Sequence, residues 1–325
     1  MDLKHKILDM VNDDLEGIET ALKQNLNPYL DVVSQVAGHI LFSGGKRLRP
    51  LLMVLSARIC GYSGNYDKTF STMFEYLHTA TLLHDDLVDE AKLRRGKPAA
   101  HSIYGNSIAV LVGDFLLARA LSIGVETGRK SVISIIAEVT EHMSQGEIHQ
   151  IIRKGQLDLT EKEYMTIIQN KTALLFKGAC RVSAIISDAS EKEEKAISDY
   201  GYNLGIAFQM ADDLLDYTSD TNSLGKEVGA DLKEGKLTLP VIYSLKKADS
   251  KDRAQMEIII KNEKFSVHDF EILLKLLKKY EGLKYTEKQA KKYIAEAKEA
   301  LMVFKPSKTR KILLGIADYV LTRKA

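Results

Sequence analysis

The chain has 325 residues, with 46 lysines and arginines against 44 aspartates and glutamates and a formal net charge of +2 at pH 7. This balance gives no electrostatic reason to expect a nucleic-acid partner, and the length is sufficient for a sizeable core. Charged or polar residues interrupt every apolar run before the roughly 18 residues of a membrane span, and the N-terminus carries both charges, unlike a signal or transit peptide. Only two cysteines occur, Cys60 and Cys180, so we expect a reducing, cytoplasmic location.

The apolar residues recur at helical spacing, which predicts an all-α protein. In GYNLGIAFQMADDLLDY and LLKLLKKY they repeat every three or four residues, and hairpins with Asn-Gly or Asp-Gly turns are absent. A mean helix of about 11–12 residues predicts about a dozen or more helices. Breakers predict helix ends at 61–65, 94–98, 217–236 and 304–308. No low-complexity linker divides the chain, so residues 1–325 are predicted to form a single domain.

The first segment with distinctive chemistry is GGKRLRP, residues 44–50, which places Lys46, Arg47 and Arg49 beside two glycines. Guanidinium and ammonium groups of this kind bind polyanions. The segment is not a P-loop, because G-x-x-x-x-G-K-[ST] is absent. Positive charge is also typical of a helix C-terminus, so the segment alone leaves both interpretations open.

The segment LLHDDLVDE carries three aspartates on a predicted helix. Asp85 and Asp89 lie about one turn apart on one face, and Asp86 points about 100° away. The apolar neighbours indicate that the helix is packed, so these carboxylates would border a cavity. Two carboxylates about 4 Å apart repel by roughly 4 kcal/mol at an effective dielectric constant of about 20, which favours a cation between them. Oxygen ligands suit Mg²⁺, although a solvated acidic face is the alternative for a single motif.

A second copy of the pattern, in QMADDLLDY, contains Asp212, Asp213 and Asp216. Two apolar-flanked copies favour a pair of metal sites that clamp a diphosphate. The alternative, a solvated acidic helix face, is less favoured once both copies are considered. Basic residues follow both motifs closely; they are Arg94, Arg95, Lys97, Lys226, Lys233 and Lys236. Acidic motifs with basic partners nearby are the pattern expected of a site that binds a polyanion with metals.

Nucleophilic catalysis finds no support in the sequence. There is no G-x-S-x-G, and neither cysteine has an obvious histidine partner nearby. His78 and His84 do not match H-E-x-x-H zinc spacing, and His78 alone is more typical of a structural histidine.

Five segments together resemble the signature regions of the trans-isoprenyl diphosphate synthases, closest to the long-chain members that make octaprenyl diphosphate. In the order and spacing of that family, over nearly the whole chain, they are 44–50, 82–98, 171–172, 208–216 and 225–240. The resemblance implies a helical bundle around a central cavity, Mg²⁺ as cofactor and a homodimer.

The resemblance also implies roles for individual residues. The catalytic aspartates would be Asp85, Asp86, Asp89, Asp212, Asp213 and Asp216. Mg²⁺ would be bound by Asp85, Asp89, Asp212 and, through water, Asp216. The allylic diphosphate would be bound by Arg94, Lys171, Thr172, Gln209, Lys226 and Lys236. Isopentenyl diphosphate would be bound by Lys46, Arg49, His78 and Arg95.

The implied reaction needs no side-chain nucleophile. Metals and cations stabilise the departing diphosphate, the allylic C–O bond ionises, and the double bond of isopentenyl diphosphate attacks the carbocation before a proton is lost to the released diphosphate. The protein would contribute charge stabilisation, positioning and exclusion of water.

The helix before Asp85 is expected to line the cavity that holds the growing product. Ala80 and Thr81 lie about one turn back, and Tyr76 and Leu77 about two turns, at about 5.4 Å per turn. Short-chain relatives place a bulky aromatic at the position of Ala80 or Thr81, so two small residues favour a long product of about C40. Met143 and Val139 are candidates for the floor. Helix packing alone could also explain a small residue at position 80.

Other functions remain open. A short-chain synthase making C15 or C20 is the first alternative. The second alternative is a terpene cyclase, which would carry N-D-x-x-S-x-x-x-E as its second motif and would not need Lys46 or Arg49. The third is a non-enzymatic helical subunit, which would lack the aspartates. We expect isopentenyl and allylic diphosphates as substrates, no nucleic acid, and peripheral membrane contact for product release. The basic stretch at 308–324 could contribute to that contact, although a solvated helix face is the more typical interpretation.

Overall fold

The structure is a computed structural model that describes residues 3–218, 229–262 and 265–322. Those residues are almost entirely helical, which confirms the all-α prediction. The helices are α1 (Leu3–Leu26), α2 (Asp31–Leu41), α3 (Leu48–Ile59), α4 (Asp67–Val88), α5 (Ala100–Tyr104), α6 (Asn106–Glu126), α7 (Lys130–Ile152), α8 (Glu161–Ile168), α9 (Leu174–Ile186), α10 (Glu191–Thr218), α11 (Ala230–Lys233), α12 (Leu239–Lys247), α13 (Ser250–Lys261), α14 (Val267–Lys279), α15 (Gly282–Ala300) and α16 (Lys308–Thr322). A π-helical turn (Gln169–Ala173) joins α8 to α9, and a 3₁₀ turn (Leu301–Val303) follows α15.

The segment after the first aspartate motif is a hairpin, where the sequence predicted only a helix end. Strand β1 (Leu93–Arg94) pairs antiparallel with β2 (Lys97–Pro98). The two turn residues both have positive φ, 52° at Arg95 and 75° at Gly96. Positive φ at both positions matches the twist of a two-residue hairpin turn, and Gly96 adopts it without steric cost.

The chain forms two compact units, each built from several stretches of sequence. The first comprises Met1–Thr140, Leu175–Gly201 and Ala300–Ile316, and the second comprises Glu141–Leu174, Tyr202–Glu299 and Ala317–Ala325. The single domain and its central cavity stay predictions. Each unit is described separately below.

Helix α4 is the central helix of the first unit. It packs against α6, α3 and α1. The ring of Tyr76 is fully buried, and its hydroxyl donates to the carbonyl of Leu22 on α1 at 2.7 Å. Helix α9 approaches closely at Gly178, where an added Cβ would lie 3.0 Å from Val139 Cγ2 and 3.3 Å from Phe74 Cε1. This packing fixes the helix whose C-terminal end carries the first aspartate motif.

Helix α6 is the single helix among the described residues that is long and apolar enough to cross a membrane, with a mean hydropathy of 2.0 in its most apolar window. The sequence analysis predicted no membrane-spanning segment, and α6 is the one exception by length and composition among the described residues. Core helices pass the same test, and 39% of this window is buried in the protein. Its polar residues make local contacts, because Asp114 lies 3.5 Å from His84 and Arg119 donates to the carbonyl of Asn25.

The core of the second unit is formed by α8, the C-terminal part of α10 and helices α12 to α14. Local sequence signals set two of the helix starts. Thr160 with Glu163 forms a capping box at α8, and Ser266 with Asp269 forms another at α14, so each pair satisfies two backbone N–H groups. The π-helical turn after α8 carries Lys171 and Thr172, and such turns are frequent at functional sites.

Candidate active site

The first aspartate motif lies at the C-terminal end of α4, with Asp89 as the residue that follows the helix. Asp85 and Asp89 are half-buried, whereas Asp86 is only 1% exposed. Arg94, which lies in the β-hairpin, donates its Nε–H to both carboxylate oxygens of Asp86 at 2.6 Å. Asp86 therefore orients Arg94, and Asp85 and Asp89 are the carboxylates of this motif that reach the surface.

A cluster of cations surrounds His78, which lies on α4 about two turns before Asp85. Burial, followed by the charges of Arg49, Arg95, Arg94 and Arg47, lowers the pKa of His78 well below its usual value. The imidazole is therefore neutral at pH 7 and can donate one N–H to an anion. The guanidinium of Arg49 lies 4.9 Å from the centre of the Phe176 ring, and Arg95 donates to the carbonyl of Gly44.

Three of the four residues predicted to bind isopentenyl diphosphate thus lie together in the first unit: Arg49, His78 and Arg95. The fourth, Lys46, is exposed in the segment that precedes α3. A neutral imidazole among arginines is suited to a polyanion, because the guanidinium groups supply charge and the imidazole supplies a directed hydrogen bond.

In the second unit, predicted residues for the allylic diphosphate line a cavity together with Tyr164 and Asp213. Four of the lining residues, Thr172, Gln209, Asp213 and Tyr164, form a continuous chain of hydrogen bonds. Thr172 Oγ1 donates to Gln209 Oε1 at 2.9 Å, and Gln209 Nε2 donates to Asp213 Oδ1 at 2.9 Å. Tyr164 donates its hydroxyl to Asp213 Oδ2 at 2.5 Å. The chain fixes which end of the Gln209 amide faces Thr172.

The second aspartate motif divides into three different environments. Asp213 is buried, and burial together with the charge of Asp231 raises its pKa to about 8. Asp216 accepts the backbone N–H groups of Ala230 at 3.1 Å and Asp231 at 3.3 Å, so it holds the start of α11. Asp212 is exposed at the surface.

The two described lysines predicted to bind the allylic diphosphate are already ion-paired. Lys171 pairs with Glu147 and donates to Gln150 at 2.8 Å, and both partners lie on α7. Lys236 pairs with Glu234 at 2.6 Å, and its backbone N–H donates to the carbonyl of Asp231. The predicted ligand Lys226 lies outside the described residues.

Sequence reasoning missed several residues of this cavity, among them Tyr164 and Asp231. Tyr164 stands about two helical turns before Lys171 and Thr172, a spacing that could have placed it on their face. Asp231 lies in a segment, residues 225–236, that mixes lysines with aspartate and glutamate, so no local signal singled it out.

The predicted chain-length residues do not share one face of α4. At about 100° per residue, Thr81 lies about 40° from Asp85 and Leu77 about 80°, whereas Ala80 lies about 140° away and Tyr76 on the opposite side. The contact between the Tyr76 hydroxyl and Leu22 agrees with this placement. Thr81 and Leu77 are thus the members of the set that lie beneath Asp85.

Phe74 lies about 20° from the direction of Asp85 and about three turns below it. Its ring is fully buried, beside Val139 at the close approach of Gly178. The floor candidate Val139 therefore adjoins the first aromatic beneath Asp85. Met143, the other candidate, belongs to the second unit.

The residue types fit a hard divalent cation, although the described ranges contain no group of three or more His, Cys, Asp or Glu side chains arranged to hold a metal ion. Asp85, Asp89 and Asp212 offer only carboxylate oxygens and reach the surface. Mg²⁺ is commonly held by one or two carboxylates with water and substrate phosphates completing its shell. The carboxylates of Asp85 and Asp89 in the first unit, and that of Asp212 in the second, are therefore each compatible with such an ion.

Comparison with known proteins finds relatives over nearly the whole chain. The family model described as polyprenyl synthetase matches residues 30–277. An octaprenyl diphosphate synthase of Escherichia coli (strain K12) is 38% identical over 318 residues, which cover 98% of each chain. A short chain isoprenyl diphosphate synthase of Methanothermobacter thermautotrophicus is 33% identical over 326 residues, covering 98% of this chain and 99% of that protein.

Among solved structures, a polyprenyl synthase from Caulobacter crescentus CB15, complexed with calcium and isoprenyl diphosphate, has a TM-score of 0.93. It is 36% identical and covers 100% of this chain and 98% of its own. The fold and these matches define an enzyme of the trans-prenyltransferase class. The chain belongs to the polyprenyl synthetase family, whose members depend on a metal ion.

Replacing Tyr164 with phenylalanine tests the hydrogen-bond chain in the second unit. Loss of the hydroxyl leaves a buried oxygen of Asp213 without this donor. We expect the free energy of unfolding to fall by about 1–3 kcal/mol, measured by urea denaturation. The KM for the allylic substrate should rise, because Asp213 orients Gln209. Tyr243→Phe is the control, because it also removes a tyrosine hydroxyl and keeps the ring, whose centre lies 3.9 Å from that of Tyr285. An equal fall in the free energy of unfolding in both variants would contradict the assignment.

Proposed function

We propose that the enzyme elongates an allylic diphosphate, such as farnesyl diphosphate, by successive head-to-tail condensation with isopentenyl diphosphate. The product would be a long-chain all-trans polyprenyl diphosphate of about C40, used for a quinone side chain. The observation that carries this proposal is that His78, with several arginines around it, lies on the same helix, α4, as the aspartate motif whose Asp85 and Asp89 reach the surface. A cyclase would not need that basic cluster.

The chain's own residues can bind and orient both substrates. Arg49, Arg95 and His78, with Lys46, would hold isopentenyl diphosphate, with the neutral imidazole as a hydrogen-bond donor. Arg94, oriented by Asp86, would hold the allylic diphosphate. The remaining allylic ligands would be Lys171, Thr172, Gln209, Lys226 and Lys236.

We propose that the metal ion is Mg²⁺, held by Asp85, Asp89 and Asp212, with Asp216 acting through water. When bound, Mg²⁺ supplies charge that stabilises the departing diphosphate. Arg94 and Lys171 would add positive charge to the same leaving group, each oriented by an acidic partner, Asp86 and Glu147 respectively. Buried apolar residues around α4 would keep water from the allylic cation.

The preference for a long product is supported by the positions beneath Asp85. Thr81 is small and half-buried, and the first aromatic on that side of α4 is Phe74, about 16 Å along the helix at about 1.5 Å per residue. A short-chain synthase is the second candidate, because the matched relatives include one named for short-chain activity.

Diphosphate release tests the reaction class. We expect release of inorganic diphosphate only when farnesyl diphosphate, isopentenyl diphosphate and Mg²⁺ are all present. Release from farnesyl diphosphate alone would indicate a cyclase, and release in excess EDTA would contradict the metal requirement.

We also propose a cytoplasmic homodimer that contacts the membrane only peripherally, to release an apolar product. The two cysteines are free thiols, as a reducing compartment requires.

The support for a dimer is an apolar stripe on α6, in which Leu111 is 64% and Val125 59% exposed. The stripe, which follows a heptad spacing of three and four, consists of Ile108, Leu111, Phe115, Ala118, Ser122 and Val125.

Replacing Leu111 with glutamate should convert the dimer to a monomer, because a charge would be buried within the stripe. Sedimentation velocity measures the change. The control is Ile258→Glu on α13, where the native side chain is 71% exposed and lies outside the stripe. A dimer that survives Leu111→Glu, or a wild-type monomer, would exclude this stripe as the interface.

A further inference from the structure

We propose that Arg47 is a positioning residue for isopentenyl diphosphate, which holds the segment carrying Lys46 and Arg49 in place without touching the substrate. The inference rests on the proposed function, since it concerns the same binding site. Arg47 stands between two predicted ligands, yet its side chain is only 5% exposed, whereas Lys46 is exposed and Arg49 half-buried. Its environment differs from theirs in three respects.

The first is the backbone. Arg47 has φ +45° and ψ 33°, in the left-handed region, and directly precedes α3. A side chain with a Cβ rarely adopts this region, and the surrounding structure must impose it. Helix α3 begins with Leu48, so this one residue determines the direction in which the chain enters the helix that carries Arg49.

The second is the use of its guanidinium group. Nε donates to Glu19 on α1, Nη1 donates to Glu75 Oε1 on α4 at 3.0 Å, and Nη2 donates to the carbonyl of Leu41 at the end of α2. Each of the three nitrogens therefore has a protein acceptor, and the charge is matched by two glutamates. Although burial lowers the pKa of Arg47, the hydrogen bonds and charges of Glu19 and Glu75 raise it above its usual value. The group remains a cation that is committed to the protein.

The third is its location relative to the other ligands. Glu75 lies one turn before His78 on α4, so the ion pair ties the segment to the helix that carries His78. A Cβ added at Gly45 would lie 3.4 Å from both Arg47 Nη1 and Arg95 Nη1. Arg95 also donates to the carbonyl of Gly44. The segment is therefore fixed by Arg47 on one side and by Arg95 on the other, and the ligands depend on Arg47 for their relative placement.

A purely structural tie between α1 and α3 is the competing explanation, and the molecule contains a matched example. Arg58, in the last turn of α3, forms a two-pronged ion pair with Asp14 of α1, at 2.9 and 2.6 Å. This pair joins the same two helices as Arg47 and Glu19, at the other end of α3. It has no part in the proposed binding site, so it serves as the control.

The test compares Arg47→Lys, Glu19→Gln and the control Arg58→Lys. Glu19 is 38% exposed, so its neutral variant weakens the network without leaving a buried charge. We expect the KM for isopentenyl diphosphate to rise about tenfold or more in Arg47→Lys and about threefold in Glu19→Gln, while the allylic KM changes less than about twofold. Arg58→Lys should leave both constants unchanged even where its melting temperature falls. Equilibrium dialysis of isopentenyl diphosphate in EDTA should show the same order of binding losses without turnover.

Equal changes in the Arg47 and Arg58 variants would overturn the proposal, as would a fall in kcat with both KM values unchanged. A wild-type KM in Arg47→Lys and Glu19→Gln, with both proteins folded by circular dichroism, would also overturn it. Failure of the proposed function is a separate result, since the wild-type protein would then neither bind isopentenyl diphosphate nor condense it.

Discussion

We expect the replacement of Asp85 with asparagine to lower kcat/KM for the condensation by about 10³-fold or more. The carboxylate lies on the side of α4 that also carries His78 and Thr81, and it reaches the surface. Loss of one metal-binding charge removes several kcal/mol of stabilisation from the departing diphosphate, at about 1.36 kcal/mol per factor of ten. Steady-state kinetics with both substrates over a range of Mg²⁺ concentrations measure the effect, and added metal should restore part of the activity.

Asp67→Asn provides the matched control, because Asp67 lies in the first turn of the same helix. It should leave kcat/KM within about twofold. Asp86→Asn should act differently from Asp85→Asn, because Asp86 is paired with Arg94 and its loss would raise the allylic KM. If Asp85→Asn retained a tenth of the wild-type activity, the proposed role of this residue in metal binding would be wrong.

We expect the replacement of Thr81 with phenylalanine to shorten the product from the proposed length of about C40 to C15 or C20. Thr81 lies one turn beneath Asp85, about 6 Å along the helix, which is close to the length of one isoprene unit. Its side chain is half-buried, and its hydroxyl donates to the carbonyl of His78 at 2.8 Å. A phenyl ring at this position would close the predicted product cavity above Phe74. Chromatography of the dephosphorylated products gives the length directly.

Tyr76→Phe is the control for this prediction. Tyr76 lies on the opposite side of α4 and loses only its hydrogen bond to Leu22, so its product should keep the wild-type length at reduced stability. An unchanged product in folded, active Thr81→Phe would show that the product does not pass this position.

Helical periodicity explains which site residues could be predicted. The spacing of Asp85, Asp86 and Asp89 predicted that Asp86 would point away from the other two, and the structure places it in a buried ion pair. Periodicity also separates Tyr76 from Thr81. The prediction counted helical turns along α4, whereas the angle around the helix axis places the two residues on different sides of α4.

The remaining features depend on contacts between distant parts of the sequence. Tyr164 meets Asp213 across 49 positions, and Arg47 meets Glu19 and Glu75 across 28 positions each. No local pattern indicates such pairs. The hairpin after α4 was predicted only as a helix end, because its turn requires positive φ at Arg95, a residue that rarely adopts it.

Incubation of the protein with labelled isopentenyl diphosphate, farnesyl diphosphate and Mg²⁺, followed by dephosphorylation and sizing of the products, tests chain elongation most directly. We expect a narrow product distribution at about C40 that disappears when EDTA is added. A product that stops at C20 would contradict long-chain synthesis, and failure to incorporate label, with or without Mg²⁺, would contradict the condensation itself.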